Sequence, residues 1–145
     1  MPKVLAVNIS EKKGVPKKEI DKGYFEVNHG FKGDAHAGEW HRQVSLLGKE
    51  SIDKLRALGL KNLEAGIFAE NITTEGLVLY ELPVGTRLKI GETIMEVTQI
   101  GKACHNGGCA IKRSAGDCVM PREGIFTKVI SPGWVKPGDS IEIIQ

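Results

Sequence analysis

The sequence predicts a mostly β fold of the α+β kind, built from short strands with one clear helix. Three observations carry this expectation. Thr86 to Ile90, Thr93 to Ile100, Phe126 to Ile130 and Ser140 to Ile144 are short β-branched runs punctuated by Gly or Pro. The 145 residues include 18 glycines but only 6% aromatics, a balance that suits many turns around a modest core. Only one stretch, Gly48 to Leu58, has helical periodicity: Ile52, Leu55 and Leu58 share a face and Gly59 follows where a helix would stop. Short strands at this spacing point to a barrel or a sandwich.

In chain order, Lys3 to Ile9 alternates as a first strand, and Ser10 to Pro16 is a turn. Lys12, Lys13, Lys17 and Lys18 flank that turn and read as a solvated basic loop. Gly23 to Asn28 is a second strand. His29 to Gly38 is too rich in glycine for regular structure and becomes a loop with ligand-capable side chains. Val44 to Leu47 is a brief apolar run leading into the helix. Ile67 to Leu77 and Val78 to Leu82 read as further strands, and Leu82-Pro83-Val84-Gly85 and Val135-Lys136-Pro137-Gly138-Asp139 as turns before strands.

Length bounds the chain to one domain, 1–145, large enough to bury a core without disulfides. A net charge of +2 supplies no global field for nucleic acid or an anionic membrane, so any anion site must be local. Met1 to Ser10 lacks a secretory h-region and no apolar run nears the ~20 residues that span a bilayer, so the protein reads as soluble and cytoplasmic. Three cysteines are an odd number, which favours free thiols, packing or metal ligation over a disulfide framework.

Four constellations carry candidate chemistry. The first is Gly101-Lys102-Ala103-Cys104-His105-Asn106-Gly107-Gly108-Cys109, where glycines permit close backbone approach and the neighbouring lysine and histidine favour the thiolate of Cys104. Cys104, Cys109 and Cys118 run C-x4-C-x8-C, wider than structural zinc pairs; Cys109 and Cys118 are buried packing, ligands to a metal or cluster or, for Cys109, a resolving thiol. The second is Asp34, His36, His41, Arg42 and Gln43. The histidines are either loop metal ligands or ordinary hydrogen-bonded residues, and Arg42 either grips a phosphate or carboxylate or pairs with an acid such as Asp34. The third, Glu70 and Asn71, lies among apolar residues and either orients a ligand or satisfies backbone groups at a strand bend. The fourth, Lys112, Arg113, Arg122 and Lys128, either neutralises an anionic cofactor or forms a solvated face.

Taken in order, Gly33-Asp34-Ala35-His36, His41-Arg42-Gln43-Val44-Ser45-Leu46-Leu47, Gly66-Ile67-Phe68-Ala69-Glu70-Asn71-Ile72, Leu82-Pro83-Val84-Gly85, Gly101-Lys102-Ala103-Cys104 and the closing Gly124-Ile125-Phe126 to Gly138-Asp139 resemble a MOSC domain. This family is named for the carboxy-terminal part of molybdenum cofactor sulfurase, and the likeness covers nearly the whole chain. It implies a compact β-barrel with one clear helix and a few short ones. It also implies that Cys104 is the functional thiol, ligating the molybdenum of a pterin-based cofactor or carrying sulfur as a persulfide. Asp34, His36, His41, Arg42, Glu70, Asn71, Lys102 and Arg122 would then contribute to cofactor binding.

The length leaves no room for the desulfurase or redox modules joined to this domain in larger relatives, and no pyridoxal-phosphate lysine site is seen. The resemblance therefore implies partners: a sulfur donor such as a cysteine desulfurase or a redox partner, and molybdenum-cofactor enzymes or biosynthetic proteins. The leading expectation is a molybdopterin-binding, sulfur-transfer module. Its rivals are the core of a molybdenum-dependent reductase of small N-hydroxylated compounds, and a redox or cluster-binding sensor. Substrate and oligomeric state are not legible.

Overall fold

The computed structural model describes residues 2–12, 17–57, 59, 70–101 and 124–144. It is mostly β. Eleven strands are described: β1 (Lys3–Ile9), β2 (Lys18–Ile20), β3 (Gly23–Glu26), β4 (Gly30–Phe31), β5 (Val44–Gly48), β6 (Ile72–Glu75), β7 (Arg87–Ile90), β8 (Thr93–Ile100), β9 (Ile125–Ser131), β10 (Gly133–Val135) and β11 (Ile141–Ile144). One α-helix, α1 (Lys49–Ala57), follows β5. Among the described residues no helix is long and apolar enough to cross a membrane.

The main sheet runs β11-β7-β8-β9-β5-β6-β1-β2, and β10-β3-β4 form a smaller one. All pairings but one are antiparallel. The exception, β5 with β6, is parallel, and α1 lies in the connection that such a pair requires. Inward positions of both sheets supply one continuous core that includes Val4, Phe25, Phe31, Leu46, Ile72, Leu88, Met95 and Ile125. Alternate residues of β8 are buried, so a period of two is enough to form this strand as the sequence predicts. Ile52 packs inward from α1 as its spacing requires, and Gly59 takes a positive φ of 94° where the helix was expected to stop.

One expectation is not met among the described residues and another is corrected. No sheet among the described residues closes into a barrel. β1 meets the approach to β11 through one isolated bridge, Lys3 with Ser140, and hydrogen bonds such as Val4 N to Asp139 O at 2.8 Å. The bridge is antiparallel, so β11 continues past Pro2 instead of along β1, and only the turn residues Gly138 and Asp139 face Val4. Val78 to Leu82 is a 3-10 turn at Leu79–Glu81 rather than a strand. Leu79 and Leu82, three apart, are both buried while Val78 is exposed, so the burial period is that of a tight helix. Of Ile67 to Leu77 only Ile72–Glu75 is strand, residues 67–69 lying outside the described set.

β2, β4 and β10 had no sequence signal. β2 is a charged, exposed edge that needs only the ladder to β1, and β4 is two residues long. β4 depends on Gly30, whose φ is +106° and whose missing Cβ would lie 2.6 Å from the Gln43 carbonyl oxygen. This close approach seats the loop that follows β4 against the start of β5. Gly30→Ala should therefore destabilise the fold by about 1–3 kcal/mol from backbone strain alone. Urea unfolding with an unchanged midpoint would show that the backbone contact is dispensable.

Candidate functional site

The loop between β4 and β5 is held at its base by a buried ion pair. Asp34 and Lys17 both have side chains with no exposed surface, and Lys17 Nζ lies 2.8 and 3.0 Å from the two Asp34 oxygens. The carboxylate also accepts hydrogen bonds from the backbone N–H of Ser10 at 3.0 Å and of His36 at 3.1 Å. Burial by itself pushes the Asp34 pKa up. The hydrogen bond from Lys17, the Ser10 N–H, the charge of Lys17 and the His36 N–H outweigh burial and hold the carboxyl below its ordinary value of 3.8.

The reading of Lys17 as part of a solvated basic loop is thus overturned. Its neighbours in sequence, Lys12 and Lys18, conceal it, and nothing in the local pattern distinguishes the one lysine that turns inward. Asp34 is likewise not the partner of Arg42, because its oxygens are engaged by Lys17 and two backbone groups.

From this base the loop presents Trp40, His41 and Arg42. The Trp40 indole N–H donates to the His36 carbonyl at 2.8 Å, and the Trp40 and His41 rings meet edge to face at 5.9 Å. Across from them, at the end of β8, Gln99 Oε1 receives the Arg42 Nε–H at 3.0 Å and His41 Nε2 at 2.8 Å. A carbonyl oxygen with two lone pairs can serve both donors. The other end of the same amide, Gln99 Nε2, donates to the Gly101 carbonyl at 2.7 Å. The Arg42 guanidinium also lies over the Phe126 ring at 5.2 Å. Gln99, unremarked in the sequence, therefore joins His41 and Arg42 to the end of β8. Its only signal is a polar side chain near the end of a strand-like run, and Glu96 in the same run is polar as well.

Gly101, with a φ of 68°, turns the chain out of β8, and its N–H donates to the Gly124 carbonyl at 2.6 Å. Those two residues bound the segment 102–123, which lies outside the described residues. The expectations on Lys102, Cys104, His105, Cys109, Lys112, Arg113, Cys118 and Arg122 all fall on it. Lys128, from the same predicted cationic group, sits on β9 and pairs with Glu96 of β8 at 3.5 Å.

Glu70 and Asn71 are fully enclosed and knit three strands together. Asn71 Oδ1 accepts the Ser45 N–H at 3.0 Å, and Asn71 Nδ2 lies 3.4 Å from the Asn8 carbonyl. Thr73 donates to Glu70 Oε2 at 2.7 Å, and Asn8 Nδ2 donates to the Glu70 carbonyl and to Thr73 Oγ1. Apart from Asn8 Oδ1, which has no hydrogen-bond partner among the described residues, these buried polar groups satisfy one another and the backbone. Among the described residues no group of three or more His, Cys, Asp or Glu side chains converges as a metal centre would require.

Residues 33–142 match the model of the MOSC domain. The chain belongs to the MOSC domain family. The span takes in the anchored loop, the Gln99 cluster and the whole segment 102–123. This MOSC domain is similar to the crystal structure of the YuaD protein from Bacillus subtilis, with a TM-score of 0.81 at 22% identity over 99% of this chain and 96% of that one. It is also similar to YiiM from Geobacillus stearothermophilus, with a TM-score of 0.73 at 16% identity over 100% of this chain and 76% of that one. For YiiM from Escherichia coli the TM-score is 0.65 at 19% identity, over 98% and 70% of the two chains. At these identities the likeness is one of fold. No curated protein sequence matches the chain.

The ion pair gives a pH-dependent prediction. A carboxyl held below its unfolded pKa adds stability above about pH 4, and that contribution disappears as pH falls through the folded value. Asp34→Asn leaves Lys17 buried without its anion and should cost about 3–5 kcal/mol at pH 7. The gap between variant and wild type should narrow steadily below pH 4 in denaturant titrations, and a gap that is constant with pH would contradict the ion pair.

Proposed function

We propose that this MOSC domain binds a molybdenum-pterin cofactor and that Cys104 is its working thiol, either as a ligand to the metal or as the carrier of a persulfide sulfur. One observation carries the reading. His41, Arg42 and Gln99 cluster where β8 ends, beside the Gly101 to Gly124 hydrogen bond at the root of the segment that bears Cys104. Three Cα-to-Cα steps join Gly101 to Cys104 and span at most about 11 Å, a reach that supports a thiol working near the Gln99 cluster.

The residues at this root fit an anionic pterin ligand. Arg42 spends Nε on Gln99, and its terminal nitrogens have no hydrogen-bond partner among the described residues. A planar guanidinium offering its two NH2 groups matches a phosphate in geometry and charge. When bound, such a cofactor supplies a metal with redox and Lewis-acid chemistry, while the chain binds and orients it.

Within that reading, Lys102 and His105 flank the thiol in sequence and favour its ionised form, which ligation and sulfur transfer both need. Arg122, on the same segment, adds positive charge for the anion. A persulfide on Cys104 requires sulfur from outside the chain, so a sulfur-donating partner such as a cysteine desulfurase belongs to the carrier form of the proposal. Asp34, Glu70 and Asn71 support the site from behind, since their polar atoms are engaged by the fold.

The deciding experiment is the molybdenum and sulfane-sulfur content of wild type and Cys104→Ser, both purified without oxygen. Molybdenum lost with the cysteine identifies a metal ligand, sulfane sulfur lost without metal identifies a carrier, and identical contents in both proteins refute the role of Cys104. Separately, Arg42→Ala should weaken binding of a phosphate-bearing pterin by about 1.5–3 kcal/mol, the range for hydrogen bonds to charged groups. An unchanged dissociation constant would return Arg42 to a structural role.

A further inference from the structure

β8 is bulged where it meets the candidate site. The two steps from Val97 to Gln99 face a single step of β9, from Thr127 to Phe126, so Thr98 is an extra residue. Thr93, Met95 and Val97 are buried, and strict alternation would turn Gln99 toward the core with them. The bulge instead aims Thr98 and Gln99 together at the loop. The Thr98 hydroxyl donates to the His41 carbonyl, while Gln99 meets the His41 ring and the Arg42 side chain.

The Gln99 amide fits this place in one orientation only. Arg42 Nε always carries a proton, so the group 3.0 Å from it must be the amide oxygen. The other end of the amide lies 2.7 Å from the Gly101 carbonyl oxygen and must be the NH2. With the oxygen fixed, His41 Nε2 at 2.8 Å has to bear a proton, and a neutral His41 then has its bare nitrogen at Nδ1. Arg42 is held on two sides at once, by Gln99 at Nε and by the Phe126 ring 5.2 Å from the guanidinium, so its NH2 groups are aimed before any ligand arrives.

We propose that Gln99 is the positioning residue of this site: a single amide aims the Arg42 fork, holds His41 in the Nε2–H form and ties both to the turn at Gly101. Adjacent residues of the loop thereby carry a fixed cationic donor and a fixed neutral acceptor. The inference deepens the cofactor reading and rests on it for the identity of the anion that the Arg42 fork grips.

Two variants of residue 99 test it. Gln99→Met, of similar length, removes the acceptor and the donor together, and Gln99→Glu restores an acceptor at the same place. Long-range proton–nitrogen spectra of 15N-labelled protein at pH ~8, where a free imidazole is neutral, report the ring, with His41 assigned by its loss in His41→Gln. Wild type should show the Nε2–H form alone. Folded Gln99→Met should relax to the mixture of tautomers of an unbonded imidazole, and Gln99→Glu should return to the single form, a rescue that a residue needed only for stability does not give. A mixture or an Nδ1–H ring in wild type, or a folded Gln99→Met with an unaltered ring, overturns the proposal. Inorganic phosphate, titrated into the same proteins, should bind Gln99→Met about three- to tenfold more weakly than wild type, the cost of ordering one long side chain on binding. Gln99→Glu should bind it more weakly still, because its carboxylate neutralises the fork that it holds. Equal affinity in wild type and Gln99→Met removes the aiming of Arg42. If Gln99→Met does not fold, the wild-type ring and the phosphate affinity of Gln99→Glu decide. A wild type with the single Nε2–H form that binds no phosphate keeps Gln99 as the residue that positions His41 and sinks the anion role of Arg42 on which the cofactor reading leans.

Discussion

Asp34 ties together three parts of the chain that are far apart in sequence: the end of β1 through Ser10, the start of β2 through Lys17, and the loop after β4 through His36. Its burial would be prohibitive without a cation, and Lys17 would be equally costly without an anion. Neither group can leave without stranding the other, so the base of the loop is fixed even though the loop itself is rich in glycine. Fixed geometry at the base makes a defined site possible further along the loop. Trp40, His41 and Arg42 inherit their placement from it, and Gln99 fastens their outer end to β8.

A second polar cluster works in the same manner on the far side of β5. Asn8, Ser45, Glu70, Asn71 and Thr73 use side-chain hydrogen bonds where the ladders of β1, β5 and β6 begin. Such groups hold backbone direction through a low-dielectric interior, where each unmade hydrogen bond would be expensive. The apolar core determines that the strands pack. These two polar clusters determine where the chain is allowed to leave them, and the candidate site lies at one of those exits.

Much of the fold was legible because burial has a simple period in the long strands. β8 buries alternate residues from Thr93 to Val97, β1 coincides with the run Lys3 to Ile9 although Ala6, Val7 and Asn8 are all buried, and α1 carries Ile52 on the face its spacing marks. The 3-10 turn at Leu79–Glu81 does not read as one because five residues are too few to distinguish period two from period three. β2, β4 and β10 are strands only because a neighbour offers them a ladder, and no local propensity marks them. The expected barrel follows the same logic. Strand closure is a property of edges, and the edge of β1 is shared between β2 and the turn before β11.

By itself the sequence determined the strand-rich class, the single helix, the MOSC family and the residues worth testing, because these depend on local pattern and on motifs in fixed order. Only the tertiary structure decided which charges pair. Lys17 and Lys18 are adjacent and chemically identical, yet one is enclosed and the other lies on an exposed edge strand. Arg42 meets Gln99, fifty-seven positions away, rather than the nearer Asp34. Pairing of this kind is settled by which partners the folded sheet brings within about 3 Å, where desolvation and hydrogen bonding are felt, and sequence separation carries no information about that distance.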